Sequence, residues 1–189
     1  MIFSIDYNDP MNGIIKYLRT KNKSDYVSAT ESSYATSLEP ASYLLKHETT
    51  SHFRFGINQL GEYFEVHFLK GSFVSLIGYG ILATTQNCNI QRNWNVSCMS
   101  TNPPILLANE INNDSLCPGA GGPNCNDCTT NEKKLFDINK RNIKCSDIRF
   151  TTTGRSSYTS DRYWFSIAGI ELFGTIGAYD NIFFEEMHL

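Results

Sequence analysis

RFTTTGRSSYTSDRYWFSIAGIELFG, residues Arg149 to Gly174, reads as strand, polar loop, strand, and it decides the fold class. Ile148 and Phe150 point one way while Arg149 and Thr151 point the other. Beyond the loop, Phe165, Ile167 and Phe173 oppose Trp164, Ala168, Ile170 and Leu172 with a period near two. In between, Gly154, Ser156, Ser157, Ser160 and Asp161 supply turn chemistry without apolar cover. The pattern predicts two neighbouring strands closing a β-sandwich, with a surface loop carried on a rigid frame.

Outward from that stretch, the rest of the chain supports the same class. Its 189 residues suit one domain that can bury a core without help from metal or disulfide. Apolar residues make up 41%, aromatic 13% and charged only 19%, a globular composition leaning towards β. A net charge of −3 and a pI near 5.8 lack the basic footprint of a nucleic-acid binder, so no nucleic-acid partner is expected. No apolar run approaches the roughly 20 residues that cross a bilayer. Asp6 and Asp9 stand where a signal peptide needs a basic start and an apolar core, so a cytoplasmic protein is expected.

Asp9 and Pro10 read as an N-cap and first helical position. Met11, Ile14, Ile15 and Leu18 then recur at helical spacing, which predicts a helix of about ten residues packed on the body. From Tyr26, VSATESSYATSLEPASYLL begins as a strand and breaks into a Ser/Thr/Pro loop. Tyr34, Leu38 and Tyr43 stand isolated on it, either as the loop's own anchors or as ligand contacts. Phe53 and Phe55 alternate with His52 and Arg54, and Phe64, Val66 and Phe68 share one face, giving two strands joined at residues 58–61. FVSLIGYGIL, from Phe73 to Leu82, is a long strand in which Gly78 and Gly80 suggest a bulge or bend. Trp94 and Val96 mark another strand ending near Cys98. Residues 102–131 are rich in Asn, Gly and Pro, have no periodicity, and read as a long excursion, with an insertion set at 103–132. Leu135, Phe136 and Ile138 restore the fold. Phe64, Val66, Phe68, Ile148, Phe150 and Ile170 are the expected core.

The order of these blocks resembles the discoidin family, the C-type domains of coagulation factors V and VIII and their relatives, among the galactose-binding-like sandwiches. The matching pieces are VSATESS at Val27 to Ser33 with PASYLL at Pro40 to Leu45, and EYFEVHF at Glu62 to Phe68 leading into FVSLIGYGI. NWNVSCMS at Asn93 to Ser100, KLFDI at Lys134 to Ile138, and DIRFTTTG with FSIAGIELFG, ending at Gly174, continue the pattern. The resemblance implies an all-β, antiparallel jelly-roll of about eight strands over residues 26–174. Residues 1–25 are then a helical extension and 175–189 a tail. It also implies ligand loops at one end of the sandwich, here 34–43, 47–52, 86–92 and 154–161. Candidate contacts on them are Tyr34, Leu38, Tyr43, His47, His52, Asn89, Arg92, Arg155, Tyr158 and Asp161. Extracellular members tie the domain ends with a disulfide. This chain has no Cys before Tyr26, and Thr175 follows Gly174, which agrees with a reducing compartment.

Six cysteines remain to be placed: Cys88, Cys98, Cys117, Cys125, Cys128 and Cys145. Cys125 and Cys128 form a Cys-x-x-Cys that suits two zinc ligands, and Cys117 or Cys145 could complete a set. A second close pair is missing, so free thiols are expected ahead of disulfides in the insertion and ahead of zinc. No cofactor is expected. His47, His52, His67 and His188 are scattered, with no nucleophile elbow, no His-Glu-x-x-His and no phosphate loop, so catalysis is not expected. Asn22, Asn95 and Asn113 open N-x-Ser sequons, which carry little weight in a chain read as cytoplasmic. In the tail, Asp180 can cap a short helix. Ile182, Phe183, Phe184 and Met187 then need a dock, on this domain or in a partner's groove.

Three functions fit these readings. The first is a non-catalytic intracellular scaffold that binds protein partners through loops and termini, as in a cytoskeletal or ciliary assembly. The second is a lectin-like module binding galactose-type or other glycans, with an aromatic such as Tyr34 stacked on the sugar. The third is an enzyme-associated or lipid-headgroup module, the lipid role disfavoured by the thin apolar complement of the loops and by the acidic charge.

Overall fold

The computed structural model describes residues 1–33, 39–48, 52–83, 91–113, 115–116, 133–156, 163 and 165–178. Eleven strands occur among them: β1 (Ile2–Phe3), β2 (Val27–Glu31), β3 (Phe53–Arg54), β4 (Tyr63–Phe68), β5 (Ser72–Ala83), β6 (Trp94–Cys98), β7 (Ile105–Glu110), β8 (Lys133–Asp137), β9 (Lys144–Cys145), β10 (Asp147–Thr152) and β11 (Ser166–Ala178). One α-helix, α1 (Ile14–Thr20), and 3-10 turns at Ser24–Tyr26 and Ala41–Leu45 complete the elements. A five-stranded sheet runs β2-β4-β10-β6-β7. A six-stranded sheet runs β1-β11-β5-β8, with β3 also on β11 and β9 also on β5. Every pairing is antiparallel.

The two sheets close over one core, in which Phe64, Val66, Phe68, Ile148, Phe150 and Ile170 are all buried as expected. Phe64 stacks on Phe150 at 4.7 Å, and Tyr79 from the other sheet meets Phe150 edge-on at 5.4 Å. Trp94 Nε1 donates to the Tyr79 hydroxyl at 3.0 Å, so the polar tips of these buried rings satisfy one another.

Several sequence expectations change. Arg149 to Gly174 does supply two strands, but β10 lies in one sheet and β11 in the other, so they face across the core instead of pairing. Alternation reports which face of a strand is buried, not which sheet holds it. For the same reason the strands joined at 58–61 part company: β3 pairs β11 while β4 pairs β2 and β10. The helix begins at Ile14, with Gly13 at its N-cap and no side-chain cap, while Asp9 and Pro10 form a turn before it. A buried carboxylate from β11 supplies the missing cap: Glu171 accepts from Ile15 N at 2.7 Å and Lys16 N at 2.9 Å. The predicted stripe still packs inward, since Ile14, Ile15 and Leu18 are fully buried. Residues 105–110, read as part of an excursion, are the edge strand β7 paired to β6, with Leu107 and Ala108 buried. The β5–β11 register shifts beside Gly78, between its pairing with Phe173 and that of Leu76 with Gly174, in line with the expected bulge, and Gly80 marks close approach: a Cβ there would stand 2.2 Å from the Pro10 carbonyl oxygen.

Cys98 and Cys145 were expected as free thiols, with Cys145 a zinc candidate; instead they form a disulfide between β6 and β9, one strand from each sheet. The Cα atoms are 5.5 Å apart although 47 positions separate the residues, a proximity that only the closed sandwich creates. Cys88, Cys117, Cys125 and Cys128 lie outside the described residues, as does the tail from 179 onward with Ile182, Phe183, Phe184 and Met187.

Candidate functional site

Strand direction brings six strand ends together at one end of the sandwich. β2 and β10 finish there, β4 and β6 start there, β5 finishes and β11 starts. The described residues that adjoin those ends, 32–33, 91–93 and 153–156, therefore stand on the same side. Side chains bind them into one rim. Gln91 bridges Ser156, and its buried Oε1 accepts from Arg92 N at 2.9 Å and Asn93 N at 3.1 Å. Asn93 Nδ2 donates to Arg155 O at 2.8 Å, and Asn93 Oδ1 accepts from Asn112 N at 2.9 Å. On the opposite side of the rim, Ser32 Oγ donates to Glu62 Oε2 at 2.7 Å, and Ser33 Oγ reaches the same oxygen while accepting from Gly56 N and Ile57 N. Tyr163 N donates to Asn58 Oδ1 at 2.7 Å, which ties the loop before β11 to the loop before β4.

Beside this frame is a polar triad with no core to fill. Glu39 Oε2 accepts from Arg54 Nη2 at 3.2 Å, and Glu39 Oε1 lies 3.1 Å from His52 Nε2. Arg54 is aimed outward because Phe53 and Phe55 on either side of it are buried. The triad sits where β3 meets the start of β11, and its carboxylate, imidazole and guanidinium offer both acceptors and donors at the loop end. Burial of a carboxylate at a loop mouth is costly unless it is paired, as Glu39 is with Arg54.

Of the candidate contacts, His52, Arg92 and Arg155 are at this rim. Tyr34, Leu38, Asn89, Tyr158 and Asp161 lie outside the described residues. Tyr43 and His47 are elsewhere, on the flank: Tyr43 is in the Ala41–Leu45 turn, and His47 Nε2 donates to Ile170 O at 2.6 Å under α1. Burial pushes the His47 imidazole down to about 4, so it is a neutral packing group and not a loop-end contact. Glu39 and Gln91 were missed by the sequence reading, because neither lies on a periodic segment. Arg54 was readable as the outward residue between two core phenylalanines.

Glu171 has a perturbed carboxyl without a reactive setting. Burial pushes it up to about 7, but it is fully enclosed and engaged by backbone N–H groups, which makes it the anchor of α1. His67 sits on the outer face of the five-stranded sheet, as its alternation predicts. Its Nδ1 donates to Asp147 Oδ1 at 2.8 Å and its Nε2 is hydrogen-bonded with Thr30 Oγ1 at 2.7 Å. Glu65 completes a compact group with His67 and Asp147, but Arg149 Nε already donates to Glu65 Oε2 at 2.6 Å. The arrangement is a cross-strand ladder with both imidazole nitrogens engaged.

The strand order and layering are those of the galactose-binding-like β-sandwich, the wider class to which discoidin domains belong. No protein-family model matches the sequence, and no curated protein matches it significantly. Solved structures do match. The family 32 carbohydrate-binding module of Clostridium perfringens NanJ, in complex with galactose, aligns at TM-score 0.56 and 15% identity over 79% of this chain and 94% of that one. Another family 32 module, from a C. perfringens family 31 glycoside hydrolase, aligns at TM-score 0.60 and 11% identity over 80% of this chain and 92% of that one. A fucolectin from striped bass (Morone saxatilis) serum aligns at TM-score 0.54 and 11% identity over 79% of this chain and 46% of that one. No helix among the described residues is long and apolar enough to cross a membrane.

Proposed function

We propose that this chain is a non-catalytic carbohydrate-binding module that takes a galactose-type glycan at the loop end of the sandwich. The observation that carries the reading is the Glu39–His52–Arg54 triad, a partly buried polar set at the loop mouth that packs no core and in which Glu39 is paired with Arg54. Such a set can read adjacent sugar hydroxyls, with the carboxylate accepting and the guanidinium and imidazole donating. Neighbouring structures named as carbohydrate-binding modules and a fucolectin support it. The scaffold reading, with its protein partners and cytoskeletal or ciliary setting, gains nothing comparable, since its best surface was the tail. The interior disulfide also favours an oxidising compartment over the cytoplasm expected from the N-terminus.

A glycan array followed by calorimetry with galactose tests this. Arg54→Gln, which keeps the β3 pairing, should weaken sugar binding about tenfold or more while leaving the thermal midpoint nearly unchanged. An array without retained glycans, together with a partner recovered through the full chain, would return the scaffold reading to first place.

A further inference from the structure

The flank of the six-stranded sheet carries a cleft of about 550 Å³ that none of the loop-end chemistry uses. Its cations come from three separate places along the chain: Lys16 and Arg19 from one face of α1, Lys46 from just beyond the Ala41–Leu45 turn, and Lys133 from the start of β8. Asp9 is the single carboxylate in the lining. It lies 3.3 Å from Lys16 Nζ and 3.8 Å from Lys133 Nζ, so it offsets one of the four positive charges. Glu171 lies beneath, tied to backbone N–H groups, and His47 beside it is bonded to Ile170 O. A net positive cleft in a chain of net charge −3 is a local reversal of sign.

Arg19 and Lys46 are tied to the wall that they form, while Lys16 and Lys133 stand half-exposed beside Asp9. Arg19 Nη1 donates to Lys46 O, which closes one wall, and Lys46 Nζ stands 4.3 Å over the Tyr43 ring. An arginine donating once keeps further N–H groups of its planar fork for an oxyanion. The volume exceeds what a bare inorganic anion needs and lies within the roughly 300–1,000 Å³ of small-molecule sites. A smaller cavity of about 260 Å³ shares Arg19, Ser24 and Lys46 and adds Val27 and Leu45, so an apolar floor adjoins the charged part. Charge, size and an adjoining apolar surface describe a ring that bears an acid.

We propose that this cleft is a second binding site, for the carboxylate or sulfate of an acidic sugar. The inference rests on the glycan-binding reading for its choice of a sugar as the carrier of the anion, but its residues are separate from the loop-end triad. Arg19 and Lys133 hold the acid group, and Lys46 with the neighbouring apolar surface receives the ring.

Calorimetry on the full chain with galactose, galacturonic acid, galactose 6-sulfate and inorganic sulfate tests it, in wild type, Lys133→Gln, Arg19→Gln with Lys133→Gln, and Arg54→Gln. At least one acidic sugar should bind more tightly than galactose, and should weaken several-fold between low and high salt. It should lose about tenfold or more in the double variant, with galactose affinity unchanged. The single Lys133→Gln variant, away from the Arg19–Lys46 contact, guards against loss of fold and should show a smaller loss in the same direction. Equal binding of neutral and acidic sugars, or no loss in either cleft variant, overturns the site. Inorganic sulfate binding as tightly as the sugars reduces it to a bare anion site and overturns the sugar assignment. Galactose binding lost in Arg54→Gln, with acidic-sugar binding untouched by the cleft variants, would leave the loop-end function standing while the cleft fails. Acidic sugar lost only in the cleft variants, with no galactose binding, would do the reverse. Absence of any binding overturns both.

Discussion

The two sheets solve the same burial problem differently. β10 of the five-stranded sheet alternates strictly, with Ile148, Phe150 and Thr152 inside and Asp147, Arg149 and Thr151 on the outer, partly solvated face. β11 of the six-stranded sheet is buried on both faces from Ser166 to Gly174, because the chain before β2 lies across its outside. Gly13 backs onto Leu172, Pro10 onto Gly80, and Met11 packs with Leu82 and Ala168 in a small cluster of its own. One sheet therefore meets water through an ionic ladder, and the other meets a covering segment through close backbone contact. The covered side also carries the cationic cleft, since the covering segment and β8 form its walls.

Breaking what both sheets share should have the largest effect. Phe150→Ala removes a ring in contact with Phe64 and Tyr79 and should cost about 3–5 kcal/mol in urea unfolding. A cost near that of a surface change would mean that the sheets do not close there. Removing the bond between the sheets comes next. Replacing Cys98 and Cys145 together by Ala frees a loop closed over 47 positions and should cost about 4 kcal/mol on the chain-entropy account. Wild type in reductant should then unfold along the variant's curve, and insensitivity to reductant would deny the bridge a role.

The comparison itself is sharpened by matched outward positions. Gly80→Ala drives a methyl against the Pro10 carbonyl and should cost about 1–3 kcal/mol. Ser97→Ala, on the outer side of β6, should stay within about 0.5 kcal/mol. Equal costs would erase the distinction between a covered and an open face.

The smallest expected effect is a flat pH profile with opposed slopes hidden inside it. Burial pushes Glu171 up to about 7 from 4.5, although backbone N–H groups favour its charged form. Between those values the folded state holds a proton that the unfolded chain has released, so this group alone makes stability fall as pH rises. Burial pushes His47 down to about 4 from 6.5, so between those values the unfolded chain holds the extra proton and stability rises with pH. From pH 4.5 to 6.5 the two states of the pair bind equal numbers of protons and the slopes cancel. His47→Gln should uncover the fall and Glu171→Gln the rise, both read as thermal midpoint against pH. A sloping wild-type profile unchanged by either substitution would break the pairing.

The chain by itself determined the β class, the core-facing residues and most strand positions, because a period of two is a local property that survives without tertiary knowledge. Phe64, Val66, Phe68, Ile148 and Phe150 were legible in this way, and so was the inward stripe of α1. The expectation that ligand loops share one end of the sandwich came from block order and a family resemblance. Tertiary structure alone decided which sheet each strand joins, since β10 and β11, or β3 and β4, look alike in sequence whether they pair or face each other. It decided that Gly13 and Glu171, not Asp9, start the helix, because a carboxylate about 155 positions away supplied the cap. It paired Cys98 with Cys145, and it brought Arg19, Lys46 and Lys133 to one cleft. Each of these depends on distances between residues far apart in the chain, which no local period encodes.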